Sequence, residues 1–257
     1  MALTVNTNVF SLAAQKNLGR TQSNLETSIQ RLSSGLRINM AKDDAAGLAV
    51  AQLQSAQARG LTVAQRNIAD GTSFLNVADA TLRSASDMMQ RQRELAVQAG
   101  SGLYTSAQTA LMSVEFDALT TEITDSLGRA TFNGTAVFGG GGAIQVGANT
   151  GQTIDISTAA LAARTAVITD TATIDADLGA VATALANVGG LQSRLEQAGR
   201  VAASMEEAQF AAAGRIMDAD FARETAKMTS AQVVQQAGVA ALAQANSIPQ
   251  LALSLLR

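Results

Sequence analysis

The hydrophobic positions near the start of the chain follow the spacing of a helix that packs along one face. Leu18, Leu25 and Leu32 recur at intervals of seven residues. Ile29 and Leu36 extend the same stripe, each four residues after a leucine. Repeats of this kind place their members on one side of an α-helix, where another helix can cover them. The pattern predicts a first helix over residues 8–36, with this stripe as its packing face.

A second and longer predicted helix begins at Asp43 and runs to Ala99. Aspartate accepts hydrogen bonds from the free N–H groups at the start of a helix, so Asp43 is a suitable N-cap. In the later part of this helix, large residues recur every seven positions, and alanine or glycine follows each of the first four by three positions. This seam favours close packing between helices. The large residues are Leu61, Ile68, Leu75, Leu82 and Met89.

The middle of the chain changes from a helical to an alternating pattern. A third helix is predicted over residues 106–127 and is expected to stop at Gly128, because glycine is unfavourable inside helices. Hydrophobic residues then alternate with other types over residues 144–146 and 154–156, with a Gly/Asn-rich segment between them. This predicts a β-hairpin in the region near residues 132–156. Asn133-Gly134-Thr135 is a formal glycosylation sequon, but Asn-Gly is also a turn pair, and the turn is favoured.

Two further helical patterns follow the hairpin. One covers residues 174–213, and the last runs from residue 220 to the end of the chain. The candidate packing residues of the last helix are Leu242, Leu251, Leu255 and Leu256. Both ends of the chain are therefore apolar, and each needs another surface to cover it.

The order of these elements predicts a mainly α fold: a long antiparallel helical rod or coiled coil with a small β-hairpin region. The chain runs out and back, so both termini are expected at one end. Residues 1–42 and 220–257 would form an inner domain of paired terminal helices, and residues 43–219 an outer helical domain. Two helices cannot cover all of each other's surface, so we expect the remaining apolar face to contact other copies of the chain.

Composition supports close-packed helices and excludes several chemistries. The chain is 47% hydrophobic but only 3% aromatic, and it contains no Trp, Cys or His and a single Pro. Thiol catalysis, disulfides and histidine-ligated metals are excluded. A net charge of −3 without a basic tract gives no support to nucleic-acid binding. We find no apolar run of membrane-spanning length and no signal-peptide pattern. Carboxylate pairs fit helix caps, so we expect no enzyme activity, metal or cofactor.

Nine segments, taken in order, resemble the shared signatures of the bacterial flagellins. Each is short, but together they extend over nearly the whole chain. They are residues 31–39 (RLSSGLRIN), 41–49 (AKDDAAGLA), 90–98 (QRQRELAVQ), 131–134 (TFNG), 144–149 (IQVGAN), 216–224 (IMDADFARE), 235–238 (QQAG), 242–246 (LAQAN) and 253–257 (LSLLR).

This resemblance implies a structural subunit that self-assembles into the extracellular filament used for swimming. The terminal helices of flagellins form an inner coiled-coil core of the filament. The variable outer domains that many flagellins carry have room only at about residues 157–173, so this is expected to be a minimal form. The resemblance also implies partners, namely an export chaperone, the filament cap and hook-associated proteins. It further implies export by the flagellar type III route without a cleaved signal peptide.

A second surface is implied by the resemblance alone. Arg91, Leu95 and Glu115 lie in a segment similar to the flagellin surface recognised by Toll-like receptor five, an innate immune receptor of the host. Arg91 and Leu95 are one helical turn apart and are expected on one face. The alternative is that this face packs against neighbouring subunits in the filament.

Two other interpretations of the chain stay open at this point. A hook–filament junction protein shares the N-terminal pattern, although the C-terminal signature and the short middle favour flagellin. A non-flagellar coiled-coil scaffold would need neither the ordered segments nor two apolar ends. Long filaments that depolymerise in acid would support the flagellin interpretation.

Overall fold

The structure is a computed structural model that describes residues 8–160 and 167–255, with side chains described up to residue 247. It divides into two compact units, one combining residues 1–55 with 210–257 and the other covering residues 56–209. The helices are α1 (Val9–Ser34), α2 (Ala45–Ala99), α3 (Ser106–Arg129), α4 (Thr171–Met217) and α5 (Phe221–Leu255). The strands are β1 (Thr131–Phe132), β2 (Thr135–Ala136), β3 (Ala143–Gln145) and β4 (Thr153–Asp155).

The mainly α class with a small antiparallel β region is confirmed. The unit boundaries lie within α2 and α4, whereas the expected domain boundaries lie at the connectors that flank these helices. The division at residues 42 and 219 therefore stays a prediction of the sequence. Within the described ranges, none of the helices combines the length and apolarity needed to cross a lipid bilayer.

In the first unit, α1 and α5 pack against each other in antiparallel fashion. The Asn8 side chain caps the start of α1 by accepting a hydrogen bond from the Ser11 N–H at 3.1 Å. The helix ends at Ser34, two residues before the expected end, because Gly35 adopts a left-handed conformation with φ of 72°. Its N–H donates to the Arg31 carbonyl, which closes the last turn.

The start of α2 corrects the predicted cap. The Asp44 carboxylate accepts from the Gly47 N–H at 2.8 Å, so Asp44 rather than Asp43 is the capping residue. Asp43 instead accepts from the backbone N–H groups of Met40 and Asn39 in the preceding turn. These hydrogen bonds stabilise the carboxylate and lower the pKa of Asp43. Both aspartates thus order the connector, but at adjacent turns.

The second unit packs its parts of α2 and α4, all of α3 and the strands around one main core. The predicted heptad residues of α2 form the centre of this core, and residues of α3, the hairpins and α4 cover them. A smaller cluster lies at the end of α2. It contains Leu95, Ala96, Phe116 and Ile174.

The predicted hairpin is confirmed as the β3–β4 pair, in which Ile144 lies opposite Ile154. A second hairpin, β1–β2, precedes it. Its turn is Asn133-Gly134, with positive φ angles of 50° and 78°, so the turn interpretation of this pair is confirmed. The expected stop at Gly128 is wrong: α3 continues to Arg129, because one exposed glycine in a last turn costs too little to end a helix.

Candidate assembly surface

The interior of the α1–α5 pair is mainly small and polar. Among the described side chains of the two helices, Ser11, Leu25 and Ser28 of α1 and Glu224 and Ala245 of α5 are buried. Within the described part of the pair, Leu25 is therefore the only leucine of the predicted stripe that is buried. The contact between α1 and α5 therefore leaves much of the apolar surface of the two helices uncovered.

The other predicted core residues are only partly covered by the chain itself. Leu18, Leu32, Leu36 and Leu242 are half-buried. Ile29 is 48% exposed, although it belongs to the same stripe. The side chains of Leu251 and Leu255, and all of Leu256, lie outside the described residues.

Large hydrophobic side chains are exposed along both helices of the pair. Each of them leaves about half or more of its surface open. Besides Ile29, those among the described side chains are Val9 (68%), Phe10 (59%) and Leu12 (66%) on α1, and Phe221 (55%), Val233 (61%), Val234 (51%) and Val239 (54%) on α5. Apolar side chains grouped on one helix pair in this way mark a surface that contacts another molecule.

A buried carboxylate lies between the two helices. The Ser28 hydroxyl donates to Glu224 Oε1 at 2.9 Å, and Lys227 Nζ lies 3.3 Å from Glu224 Oε2. Glu224 is 6% exposed, so its charge depends on these partners for stabilisation. Ser28 and Glu224 line a groove between α1 and α5, and Arg31 lines the same groove. The Arg31 Nε atom is buried with no hydrogen-bond partner among the described residues.

Two further polar contacts join α1 to α5 nearer the chain ends. Gln235 Nε2 donates to Gln22 Oε1 at 2.6 Å on the exposed side of the pair. Asn8 Nδ2 donates to the Ala245 carbonyl at 2.8 Å. Sequence reasoning missed these residues and Glu224, because a polar residue within a helix is ordinarily interpreted as surface.

The connectors next to the pair are joined by backbone hydrogen bonds. The Arg37 N–H donates to the Met217 carbonyl at 2.6 Å, and the Ala219 N–H donates to the Gly35 carbonyl at 2.9 Å. Leu36 and Asp218 form an isolated antiparallel bridge between these bonds. We call residues 35–37 and 217–219 the connector clasp. It holds the end of α1 beside the start of α5.

The residues of the second predicted surface lie in the other unit, where some are exposed and one is buried. Arg91 forms ion pairs with Glu115 at 2.9 Å and with Glu94 at 3.0 Å, and all three side chains are about half exposed or more. Leu95, by contrast, is 2% exposed and packs with Phe116. The structure therefore places Leu95 in the interior rather than on an exposed face with Arg91, because α3 and the start of α4 cover that side of α2.

Comparison with known proteins gives two family matches and many relatives of one kind. The family model of the bacterial flagellin N-terminal helical region matches residues 5–143. The model of the bacterial flagellin C-terminal helical region matches residues 166–256.

The similar proteins differ in how much sequence they carry beyond the matched regions. Flagellin FlaB1 of Treponema pallidum is 36% identical over 98% of this chain and 99% of its own length. The flagellar filament 33 kDa core protein of Treponema phagedenis is 35% identical over the same shares. The flagellin of Salmonella muenchen is 44% identical over 64% of this chain but only 33% of its own length.

Proposed function

Because this chain belongs to the bacterial flagellin family, in a form without variable outer domains, we propose that it assembles into the flagellar filament through its α1–α5 pair. It is a structural subunit of the extracellular filament that drives swimming, and it forms a homo-oligomer. The proposal concerns which residues make the contacts between copies. No catalytic reaction is proposed for it.

The observation that carries the proposal is the exposed apolar surface of the α1–α5 pair. Burying one Val, Leu or Phe side chain contributes roughly 1.5–3 kcal/mol. Among the described side chains of the two helices, seven Val, Leu and Phe residues are exposed. Burial of this surface would offset part of the entropy cost of ordering a subunit in a helical array. The predicted core leucines, half-buried in the single chain, would complete their burial against neighbouring copies.

The test places a charge in this surface without changing the fold. Val239→Glu introduces a carboxylate at a position that is 54% exposed in the single chain and would be buried between copies. We expect the critical concentration for filament growth to rise more than about tenfold, since the loss exceeds 1.4 kcal/mol. Seeded growth followed by sedimentation measures it, with circular dichroism as the check on folding.

Ser204→Glu on α4 is the matched control, because Ser204 is exposed in the other unit. It adds the same charge and should leave the critical concentration within about twofold of the wild type. Filaments of Val239→Glu that grow at the wild-type concentration would remove the α1–α5 pair from the assembly surface.

We also propose that Arg91 and Glu115 form the surface presented to Toll-like receptor five. Their ion pair is exposed in the single chain, and Leu95 would support the helix from beneath. Arg91→Ala in the monomer is expected to reduce receptor signalling at least about tenfold, the effect of losing a charge-assisted contact. Arg83→Ala, which removes a comparable exposed ion pair with Asp79, is the control. Unchanged signalling by Arg91→Ala would count against this surface.

The remaining partners follow from the family and are proposals. They are an export chaperone, the filament cap and hook-associated proteins, with export by the flagellar type III route. Mass spectrometry of subunits from purified filaments tests the export route. We expect the mass of the chain without loss of an N-terminal peptide, and a shortened N-terminus would contradict this route.

A further inference from the structure

The groove between α1 and α5 carries an excess of positive charge. It has a volume of about 640 Å³ and is lined by three cations, Arg31, Arg223 and Lys227. Glu224 is the single carboxylate among its lining residues. We call it the Arg31 groove. Its volume is large enough to admit a side chain of another molecule.

Two of the three cations already have a carboxylate within the chain. Lys227 Nζ lies 3.3 Å from Glu224 Oε2, so the carboxylate of the groove is occupied. Arg223 Nε lies 3.7 Å from Asp220 Oδ2 in an exposed ion pair. The third cation, Arg31, forms no ion pair with any of the described residues.

The Arg31 side chain is half-buried, and its charge acts on Asp43 only from a distance. The N–H groups of Met40 and Asn39 lower the pKa of the Asp43 carboxyl most, and the charge of Arg31 lowers it further. The Arg31 guanidinium therefore lacks an anion in direct contact among the described residues, although its Nε atom is already out of water.

Covering the groove would make this unpaired charge costly. Val234, which is 51% exposed and belongs to the proposed assembly surface, also lines the groove. A copy that packs on this surface would therefore exclude water from the groove as well. A cation that loses water without gaining an anion is strongly unfavourable. The covering copy therefore has to bring an anion, and a carboxylate accepts strong, charge-assisted hydrogen bonds from a guanidinium.

The two compact units carry opposite net charge. Residues 1–55 with 210–257 contain nine Lys and Arg and six Asp and Glu, a side-chain charge of +3. Residues 56–209 contain nine Lys and Arg and fifteen Asp and Glu, a side-chain charge of −6. The carboxylates in excess therefore lie in the second unit. Opposite charges favour contact between the first unit of one copy and the second unit of another.

We propose that the Arg31 groove binds a carboxylate side chain from residues 56–209 of a neighbouring copy, with Arg31 as its ion-pair partner. The inference rests on the proposed role of the α1–α5 pair in assembly. It adds to the apolar contact a charged one, made between unlike parts of two copies.

Carbodiimide crosslinking, which joins a lysine amine to a carboxylate in direct contact, tests this pairing. Arg31→Lys keeps the positive charge and introduces the required amine. These chains are mixed as a minority with isotope-labelled wild-type chains, assembled into filaments and then crosslinked. Mass spectrometry identifies mixed products, in which position 31 of an unlabelled chain is joined to a labelled peptide that only a neighbouring copy can supply.

We expect the mixed products of Arg31→Lys to contain an Asp or Glu of residues 56–209. Arg20→Lys, the same substitution at an exposed position of α1 outside the groove lining, is the matched control. It should give at least about fivefold less mixed product, because close contact governs the yield. Absence of mixed products from position 31, products only with residues 1–55 or 210–257, or equal yields from both positions would overturn the inference.

The critical concentration gives a second measurement that needs no crosslink. Arg31→Gln is expected to raise it at least about tenfold, because the carboxylate of the neighbouring copy would be buried without its partner. Arg20→Gln removes the same charge outside the groove and should stay within about twofold of the wild type. If no carboxylate faced Arg31 in the filament, its removal would relieve an unpaired cation, and the critical concentration would stay unchanged or fall.

Failure of this inference is distinguishable from failure of the proposed assembly surface. Val239→Glu chains that assemble at the wild-type concentration would remove the α1–α5 pair from the assembly surface. Impaired growth of Val239→Glu, together with no mixed product from position 31 and unchanged growth of Arg31→Gln, would remove only the carboxylate contact.

Discussion

At the scale of single residues, Gln92 is a polar side chain placed where the core requires an apolar one. It is 0% exposed and lies between α2 and α3. Its Nε2 donates to the Phe116 carbonyl at 3.2 Å and to the Thr120 hydroxyl at 2.7 Å. Its Oε1 is buried and has no hydrogen-bond partner among the described residues. The amide therefore carries an uncompensated cost of desolvation.

Gln92→Leu is expected to raise the free energy of unfolding by about 1 kcal/mol, because it removes an unsatisfied buried oxygen. The former partners stay satisfied, since the Thr120 hydroxyl also donates to the Phe116 carbonyl at 3.0 Å. Urea unfolding followed by circular dichroism measures the change. Gln90→Leu, at an exposed position of the same helix, is the control and should change stability by less than about 0.5 kcal/mol. A loss of stability in Gln92→Leu would show that the amide stabilises the core.

Burial of polar residues is the part of the site that the sequence could not supply. The leucine stripe of α1 predicts a packing face, and within the described chain Leu25 is buried there while Ile29 is 48% exposed. Glu224 and Gln92 occupy helical positions whose residue type ordinarily indicates solvent. Their burial depends on which helix packs opposite, and that is a property of the folded chain. For the same reason the sequence could place Arg91 and Leu95 one turn apart, but it could not predict that Leu95 turns inward.

At the scale of elements, the β3–β4 hairpin packs against α2 beside Gly71. A methyl group added at Gly71 would lie 2.2 Å from Ile144 Cδ1 and 3.3 Å from Leu195 Cδ1. The Ile144 side chain of the hairpin therefore occupies space beside α2 that a side chain at position 71 would otherwise fill. Gly71 falls in the small-residue set of the heptad seam, so its closeness to another element was predictable. That the element is the hairpin was not.

Gly71→Ala is expected to lower the free energy of unfolding by about 1 kcal/mol, because the partly buried Ile144 side chain must move to admit the methyl group. Gly190→Ala on α4 is the matched control, since nothing lies within 4 Å of the added carbon. That control should raise stability by about 0.5–1 kcal/mol through helix propensity alone. Thermal unfolding of both variants measures the contrast. Equal stabilisation in the two variants would mean that the hairpin is not held tightly on α2.

Some elements and turns could be predicted from the local sequence pattern alone, and others could not. The β3–β4 pair followed from alternation, and the Asn133-Gly134 turn followed from residue type. The strands of the first hairpin are two residues long, too short for a pattern to form. At the start of α2, Asp43 and Asp44 are adjacent residues of the same type. Which of them caps the helix depends on the turn that precedes it.

At the scale of the whole molecule, the proposed assembly surface lies in the unit that combines residues 1–55 with 210–257. The other unit has its own core of α2, α3, α4 and hairpin residues. A change confined to the chain end should therefore separate assembly from folding. The pairing of the ends was predictable from the order of helical patterns, whereas the polar interior between them was not.

Removal of residues 251–257 is expected to abolish filament growth, because it deletes three predicted core leucines. The core of the second unit should stay folded, with an unchanged thermal transition, since none of its residues is removed. Electron microscopy and calorimetry measure the two effects. A chain lacking only Arg257 controls for the loss of the terminal charge and should form filaments. Normal filaments from the shortened chain would exclude these leucines from the assembly core.

The connector clasp has a mechanical consequence for a subunit of a rotating filament. Its hydrogen bonds join main-chain atoms of residues 35–37 and 217–219, which are far apart in sequence. Tension that enters along the first helix can therefore pass directly to the last one, without following the intervening chain. Because the clasp donors and acceptors are peptide groups, this path for force survives most changes of side chain at Leu36 and Asp218. Torque resistance at this joint is thus a property of the backbone rather than of the residues that happen to line it.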